Sequence, residues 1–263
     1  MRRLSADNPD SGCGAIHIQL FRHPRLRRDA EEEVCNMKKL AAALFVAVLG
    51  CCALPVLAHS QPPLTPEQVS CLNAANNVNQ LVLVGATGGS DAQFTFYEKR
   101  EGLWQEVFTS RAYIGKNGLG KEKEGDGKSP VGVFHFTKAF GIAPDPGCKL
   151  GYTQVDDTHY WVGDSKSPLY NQFVSTRDGV EFDKRESEHI VSYDKAYQYC
   201  LNISYNQDGK PGLGSAIFLH CYSSNPFTGG CVAIPEDDIR RLLRAIQPEC
   251  KIVIAALKDL SKF

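Results

Sequence analysis

Short segments in which apolar and polar residues alternate dominate the chain from residue 80 onward, and they constrain the fold more than any other feature. A period of two places alternate side chains on opposite faces of a strand. The segments are LVLV (81–84), AQFTFYEK (92–99), LWQEVFT (103–109), VGVFHFTKAF (131–140), HYWVG (159–163), HIVSYD (189–194), YQYCLNISY (197–205), GSAIFLHC (214–221) and CKIVIAAL (250–257). The pattern predicts a mainly β domain.

One segment after residue 80 has helical spacing. It opens with Pro235 and three acidic residues, which favour a helix N-terminus, and Pro248 ends it. Apolar side chains then recur on one face, at Ile239, Leu242, Leu243 and Ile246. The sequence therefore predicts one amphipathic helix packed on the β domain.

Three other segments carry no clear strand or helix pattern. Residues 59–79 form a polar lead-in, with some helical character, that we expect to be peripheral. Residues 115–130, GKNGLGKEKEGDGKSP, are a Gly- and Lys-rich loop whose lysines at 116, 121, 123 and 128 we expect to be solvated. Residues 163–188 are polar and aromatic, and we expect a functional loop there.

The N-terminal region has the features of an export signal. Two lysines follow Met37, and an apolar stretch runs from Leu40 to Leu49. Val56-Leu57-Ala58 supplies small or tolerated residues before a cleavage point at Ala58. We assign residues 37–58 to a signal peptide and residues 1–36 to a mis-assigned start or an unstructured extension. About ten apolar residues are too few to span a membrane, so we expect an extracytoplasmic protein without a transmembrane helix. Lipid anchoring at Cys51 is the alternative interpretation.

Charge excludes one class of partner. The chain carries a formal charge of −1. Removing residues 1–58 takes away eight Lys or Arg and six Asp or Glu, which leaves 21 minus 24, or −3. Because no basic stripe accompanies this charge, we do not expect a nucleic-acid partner.

The sharpest local feature is the segment FLHCYSSNPFTGGCVAIPEDD (218–238). A catalytic cysteine needs an imidazole nearby to accept its proton, and His220 can meet Cys231 if the ten residues between them fold back. The N–H groups of Gly229, Gly230 and Cys231 would then form an oxyanion hole. The alternatives are a half-cystine and a structural histidine. We expect no metal, because adjacent residues such as His220 and Cys221 point to opposite faces of a strand.

The order of these segments, over roughly residues 80 to 256, resembles the L,D-transpeptidase catalytic-domain family. Lys128-Ser129-Pro130-Val131-Gly132 is similar to the family's Thr-Pro-x-Gly turn, and the strand with His220 and the run Thr228-Gly229-Gly230-Cys231 before a helix follow in the family's order. The resemblance implies a mixed β-sandwich or barrel-like catalytic domain over residues 80–263, without a cofactor. The resemblance also implies that this domain acts on peptidoglycan stem peptides, as a transpeptidase or a carboxypeptidase.

The resemblance also implies roles for individual residues. Cys231 would form a thioester with the stem peptide, His220 would be the general base, and the Cys221 carbonyl would hold the other ring nitrogen of His220. Thr228 would contact substrate. The aromatic residues Tyr160 and Trp161, and Asn171, are weaker candidates for substrate binding, since packing of a long loop explains them equally well.

Two positions depart from the family pattern. Gly229 stands where the family has His, and Ala233 stands where it has Arg or Asn. Six cysteines follow the signal peptide, so a free Cys231 leaves an odd number that cannot all pair. The alternative function is therefore a catalytically silent cell-wall binding module of the same fold, with Cys231 oxidised to Cys221 or another thiol.

Overall fold

The computed structural model describes residues 62–263. The predicted signal peptide, the segment before it and Cys51 lie outside these residues. In the described part of the chain, no helix is long and apolar enough to cross a membrane.

The described residues form twelve strands and two α-helices, one of four residues and one of ten, joined by turns and 3-10 helices. The strands are β1 (Gln80–Gly88), β2 (Asp91–Arg100), β3 (Leu103–Tyr113), β4 (Gly132–Gly141), β5 (Tyr152–Gln154), β6 (His159–Trp161), β7 (Phe173–Ser175), β8 (Glu188–His189), β9 (Cys200–Ile203), β10 (Phe218–Cys221), β11 (Val232–Ile234) and β12 (Lys251–Ala256). The helices are α1 (Pro66–Val69) and α2 (Glu236–Ala245).

Nine strands form one sheet that closes on itself. Their order is β12-β1-β2-β3-β11-β10-β9-β4-β5, and β12 pairs with both β1 and β4. The pairing of β12 with β4 leaves β5 outside the closed part, beside β4. The predicted mainly β, barrel-like fold is confirmed.

The largest apolar cluster joins the sheet to α2. Alternate residues of the strands, such as Val82, Phe94 and Leu219, pack with Ile239 and Leu242 of the helix. The predicted helix is confirmed, although it ends at Ala245, before Pro248. Burial of this one helical face stabilises the helix, because isolated helices of this length are marginal in water.

The lead-in segment is not peripheral, contrary to expectation. Leu64, Val69 and Leu72 are buried in a second apolar cluster together with Leu81 of β1, whereas Val82 belongs to the first cluster. The Tyr97 hydroxyl donates a hydrogen bond to the Leu64 carbonyl at 2.6 Å. The apolar residues at 64, 69 and 72 therefore cover the outer face of the β1–β12 pair.

The stretch from 163 to 188 is more ordered than a single loop. β6, β7 and β8 form a separate three-stranded sheet in the order β7-β6-β8. The predicted strand HIVSYD was wrong for most of its length, because residues Ile190–Ser192 form a 3-10 helix. Trp161 and Ile190, which lie just outside this stretch, pack with Phe140 and Phe218 of the large sheet in a third cluster.

Candidate active site

The parallel pairing of β10 with β11 places His220 and Cys231 on the same face of the sheet. Leu219 pairs with Val232, so Cys231 lies just before β11, beside Phe218. Leu219 and Val232 belong to the first cluster, whereas Phe218 and Cys231 belong to the third. Strand alternation puts His220 on the face of Phe218, since the two are two residues apart. The predicted helix after Cys231 begins only after β11, which the sequence analysis missed.

Cys231 and His220 open into one cavity of about 420 Å³. Residues from four regions line it: the 115–130 loop, β8 and the turn after it, the segment before β10, and the loop between β10 and β11. The lining therefore combines both candidate catalytic groups with charged and aromatic side chains distant in sequence.

His220 is held as a neutral imidazole with a defined tautomer. Its Nδ1 lies 2.7 Å from the Cys221 carbonyl oxygen. A carbonyl only accepts, so Nδ1 carries the proton and Nε2 carries the lone pair. Within residues 62–263, Nε2 has no hydrogen-bond partner, and burial lowers the pKa of His220 to about 4. Nε2 is thus available to accept a proton from a group in the cavity.

The Cys231 thiol is buried and bonded to backbone in this structure. Its Sγ donates to the Ala216 carbonyl at 3.2 Å and accepts from the Phe218 N–H at 3.3 Å. No hydrogen bond joins Sγ to His220 in the described chain. Burial, with a smaller contribution from the Glu188 charge, raises the pKa of the thiol to about 12. The resting pair is therefore a neutral thiol and a neutral imidazole.

The loop that leads to Cys231 is fixed by two buried hydroxyl groups. Ser129 donates to the Gly230 carbonyl at 2.7 Å, which ties the Lys-Ser-Pro-Val-Gly turn to the residue before Cys231. Thr228 donates to the Cys231 carbonyl at 2.7 Å and accepts from the Gly230 N–H at 3.1 Å. The Gly230 N–H is therefore occupied, contrary to its expected place in an oxyanion hole.

Thr228, Gly229 and Gly230 line the cavity. A Cβ added to Gly229 would meet no atom within 4 Å. The family's histidine position is thus open space here. The other departure, Ala233, lies within β11 and pairs with Tyr113.

The three weaker substrate-binding candidates do not line this cavity. Trp161 donates from its indole nitrogen to Asn171 Oδ1 at 2.8 Å, and the same oxygen accepts from the Ala216 N–H at 3.0 Å. Since the Ala216 carbonyl accepts from Cys231, Trp161 and Asn171 position the backbone behind the thiol. Tyr160 stacks on His189, at 4.5 Å between ring centroids, in a separate cluster.

Sequence reasoning missed three residues of the cavity wall. Glu188 accepts a hydrogen bond from the Tyr197 hydroxyl at 2.7 Å, and burial raises the pKa of its carboxyl to about 7. The Tyr197 ring packs at 5.4 Å from the imidazole of His220. Lys121, expected to be solvated, has a side chain only 2% exposed. No spacing in the sequence connects these residues with Cys231.

The structure does not pair Cys231 with Cys221. Five cysteines in residues 62–263 are free thiols: Cys148, Cys200, Cys221, Cys231 and Cys250. Cys221 faces the first cluster and Cys231 the third, on opposite sides of the sheet. Thiols that point apart in this way cannot be bridged without backbone movement. Within the same residues, no group of three or more His, Cys, Asp or Glu side chains is placed to hold a metal ion.

Solved structures with some similarity to the chain come from several bacteria. Bd1075 from Bdellovibrio bacteriovorus is 17% identical, over 70% of this chain and 55% of its own, with a TM-score of 0.37. The helical cell shape determining protein Pgp2 from Campylobacter jejuni is 16% identical, over 67% of this chain and 47% of its own, with a TM-score of 0.38. L,D-transpeptidase 1 from Mycobacterium tuberculosis is 13% identical, over 66% of this chain and 60% of its own, with a TM-score of 0.33. The chain spans about half the length of these proteins.

A family model gives the decisive match. No curated protein matches the chain significantly. The family model of the L,D-transpeptidase catalytic domain, YkuD, matches residues 89–254, more than half of the chain, and this range includes both His220 and Cys231. The chain belongs to the L,D-transpeptidase catalytic-domain family.

Proposed function

We propose that this protein is a cysteine acyltransferase that acts on peptidoglycan stem peptides, as an L,D-transpeptidase or an L,D-carboxypeptidase. Cys231 is the nucleophile and His220 is the general base. Family membership supports the substrate class, since the family is related to peptidoglycan. Peptidoglycan lies outside the cytoplasmic membrane, so the proposal places the protein there.

The observation that carries the proposal is the shared position of the two groups. Cys231 and His220 lie on one face of neighbouring strands and line one cavity. The Cys221 carbonyl orients the imidazole so that Nε2 carries the lone pair. A thiol and a base with a fixed tautomer are the parts that acyl transfer through a thioester requires.

In the proposed reaction, the thiol first exchanges its hydrogen bond with Ala216 for one with His220 Nε2. As Sγ bonds to the scissile carbonyl carbon, its proton passes to Nε2 and the carbonyl π electrons move to oxygen. Because the pKa of the thiol is raised and that of the imidazole is lowered, this proton moves during the attack rather than before it.

The tetrahedral intermediate then collapses to a thioester. Its carbon–nitrogen bond breaks, and the leaving amine of the D-residue takes the proton from His220. An amine of a second stem, or water, attacks the thioester with His220 again as the base, and the Cys231 thiol is regenerated. An amine gives a cross-link, and water gives a trimmed stem.

A catalytically silent cell-wall binding module is the second candidate. Two observations favour it: Gly229 and Ala233 replace polar residues of the family pattern, and the Cys231 thiol is bonded to backbone with a raised pKa. In that case, the cavity would bind stem peptides without bond cleavage.

Covalent labelling separates the two candidates. The reduced protein is incubated with a tetrapeptide stem or a carbapenem, and the adduct is located by intact mass and peptide mapping. We expect an adduct on Cys231, none in Cys231→Ser, and acylation slowed by at least about 10²-fold in His220→Gln, the range for loss of a general base. Ser224→Ala, at an exposed position in the same loop that does not line the cavity, is the control. A reduced, folded protein that binds the stem but forms no adduct would establish the binding module instead.

A further inference from the structure

Lys121 brings a buried positive charge into the wall of the candidate active site. It belongs to the loop between β3 and β4, and its side chain is 2% exposed. Its ammonium forms an ion pair with Asp126 at 3.1 Å and donates to the Lys123 carbonyl at 3.2 Å. A charge removed from water to this degree is costly unless it is paired or used.

The loop itself is built to hold this ion pair. The Asp126 carboxylate is 8% exposed and accepts hydrogen bonds from the backbone N–H groups of Glu122, Lys123 and Lys128, at 2.8 to 3.1 Å. These three hydrogen bonds hold the Asp126 carboxylate in place independently of its ion pair with Lys121. The position of the Lys121 ammonium is therefore determined by backbone rather than by a flexible surface contact.

Two glycines leave space for the lysine side chain. A Cβ on Gly214 would lie 2.3 Å from Lys121 Cε, and a Cβ on Gly230 would lie 3.6 Å from Lys121 Nζ. Any larger residue at 214 would displace the lysine. The side chain thus passes Gly214 and ends beside Gly230, the residue that precedes Cys231.

One N–H of the ammonium remains unused. An ammonium has three donors, and Asp126 and Lys123 accept two of them. In the described chain the third has no partner, although Glu124 and Glu188 line the same cavity without forming an ion pair with Lys121. The lysine charge acts on Cys231, since it lowers the pKa of the thiol against the larger effect of burial.

We propose that Lys121 is a catalytic residue whose free N–H donates to the anionic oxygen that forms when Cys231 attacks an acyl carbonyl. The inference rests on Cys231 being the nucleophile of the proposed function. Attack forms the carbon–sulfur bond, moves the carbonyl π electrons to oxygen and sends the thiol proton to His220; Lys121 stays protonated throughout. The Gly230 N–H already donates to the Thr228 hydroxyl, so it is not free to bind this oxygen. The Lys121 ammonium supplies a donor in its place.

The test uses p-nitrophenyl acetate, a neutral ester without a carboxylate, so it does not depend on recognition of a stem peptide. The burst of p-nitrophenolate measures acylation of Cys231, with the rate in Cys231→Ser subtracted. Alkylation by iodoacetamide measures thiol reactivity without an oxyanion. For Lys121→Met, we expect acylation to fall by about 10²-fold more than alkylation, as when one oxyanion donor is removed. Lys116→Met, at an exposed position in the same loop, should change neither rate.

Three results would overturn the proposal. Equal losses of acylation and alkylation would limit Lys121 to an effect on the thiol pKa. Unchanged rates in a folded Lys121→Met variant would exclude a catalytic role. Unchanged ester acylation with weaker binding of a stem that ends in a free carboxylate, but not of its carboxamide, would make Lys121 a carboxylate anchor. If Lys121→Met does not fold, the same comparison is made with Lys121→Gln, because the Gln side chain can still donate a hydrogen bond to Asp126. Absence of stem-peptide turnover in the unmodified protein would count against the proposed function alone.

Discussion

The Glu188 carboxyl allows a quantitative test of how strongly the cavity wall disfavours a negative charge. Its carboxyl is partly buried, bonded to the Tyr197 hydroxyl, and lies in the wall that contains Cys231. The change Glu188→Gln keeps the shape and the hydrogen bond from Tyr197 but cannot ionise. Any difference between the two proteins that depends on pH therefore reports the cost of a negative charge at this position.

The size of the effect follows from the carboxyl pKa. Burial raises it from 4.5 to about 7, and each pKa unit corresponds to about 1.4 kcal/mol, so the ionised form costs up to about 3 kcal/mol. Partial exposure reduces this to about 1–3 kcal/mol. A raised pKa in the folded state favours the protonated form. The associated stability is fully present below the unfolded pKa of 4.5 and is lost as the pH rises through about 7.

We therefore expect Glu188→Gln to unfold with nearly the same free energy as the unmodified protein at about pH 4, and to be more stable by about 1–3 kcal/mol at about pH 8. Urea denaturation at the two pH values measures this. The Glu188 charge also raises the pKa of Cys231, so the variant should alkylate faster at the higher pH. Glu186→Gln, at an exposed neighbouring position, is the control. A stability difference that is the same at both pH values would refute the argument from burial.

Two further predictions concern the backbone around the site and the lead-in segment. Gly230→Ala should lower the free energy of unfolding by about 1–3 kcal/mol, because φ is +150° and the added Cβ would lie 2.8 Å from the Lys128 carbonyl; a variant with unchanged stability in urea denaturation would show that the loop adapts. Tyr97→Phe should cost about 1–3 kcal/mol by leaving the buried Leu64 carbonyl without its donor. Limited proteolysis should then cut residues 62–79 faster, and equal cutting rates would contradict the role of this hydrogen bond.

Strand periodicity made much of the barrel predictable. Alternation at 92–99 and 103–109 specified which faces of β2 and β3 pack inward, and the Ile239, Leu242 and Leu243 face specified α2. The three-residue strands β5, β7 and β11 were missed because so short a run gives no measurable period. The sequence also could not show that Leu64 and Val69 cover β1, since contacts with the outer face of a sheet leave no regular spacing.

The candidate site divides in the same way. The sequence by itself determined that His220 and Cys231 flank a short loop, and this local motif with its family resemblance carried the proposed chemistry. Only the tertiary structure showed that the two side chains share a face, because strand register fixes it. Lys121 and Glu188 lie about 110 and 43 positions before Cys231 along the chain. Only the packing of the β3–β4 loop and of the three-stranded sheet around Cys231 brings both to one cavity. Their burial, and with it the raised pKa of Glu188, comes from those long-range contacts, which no local pattern encodes.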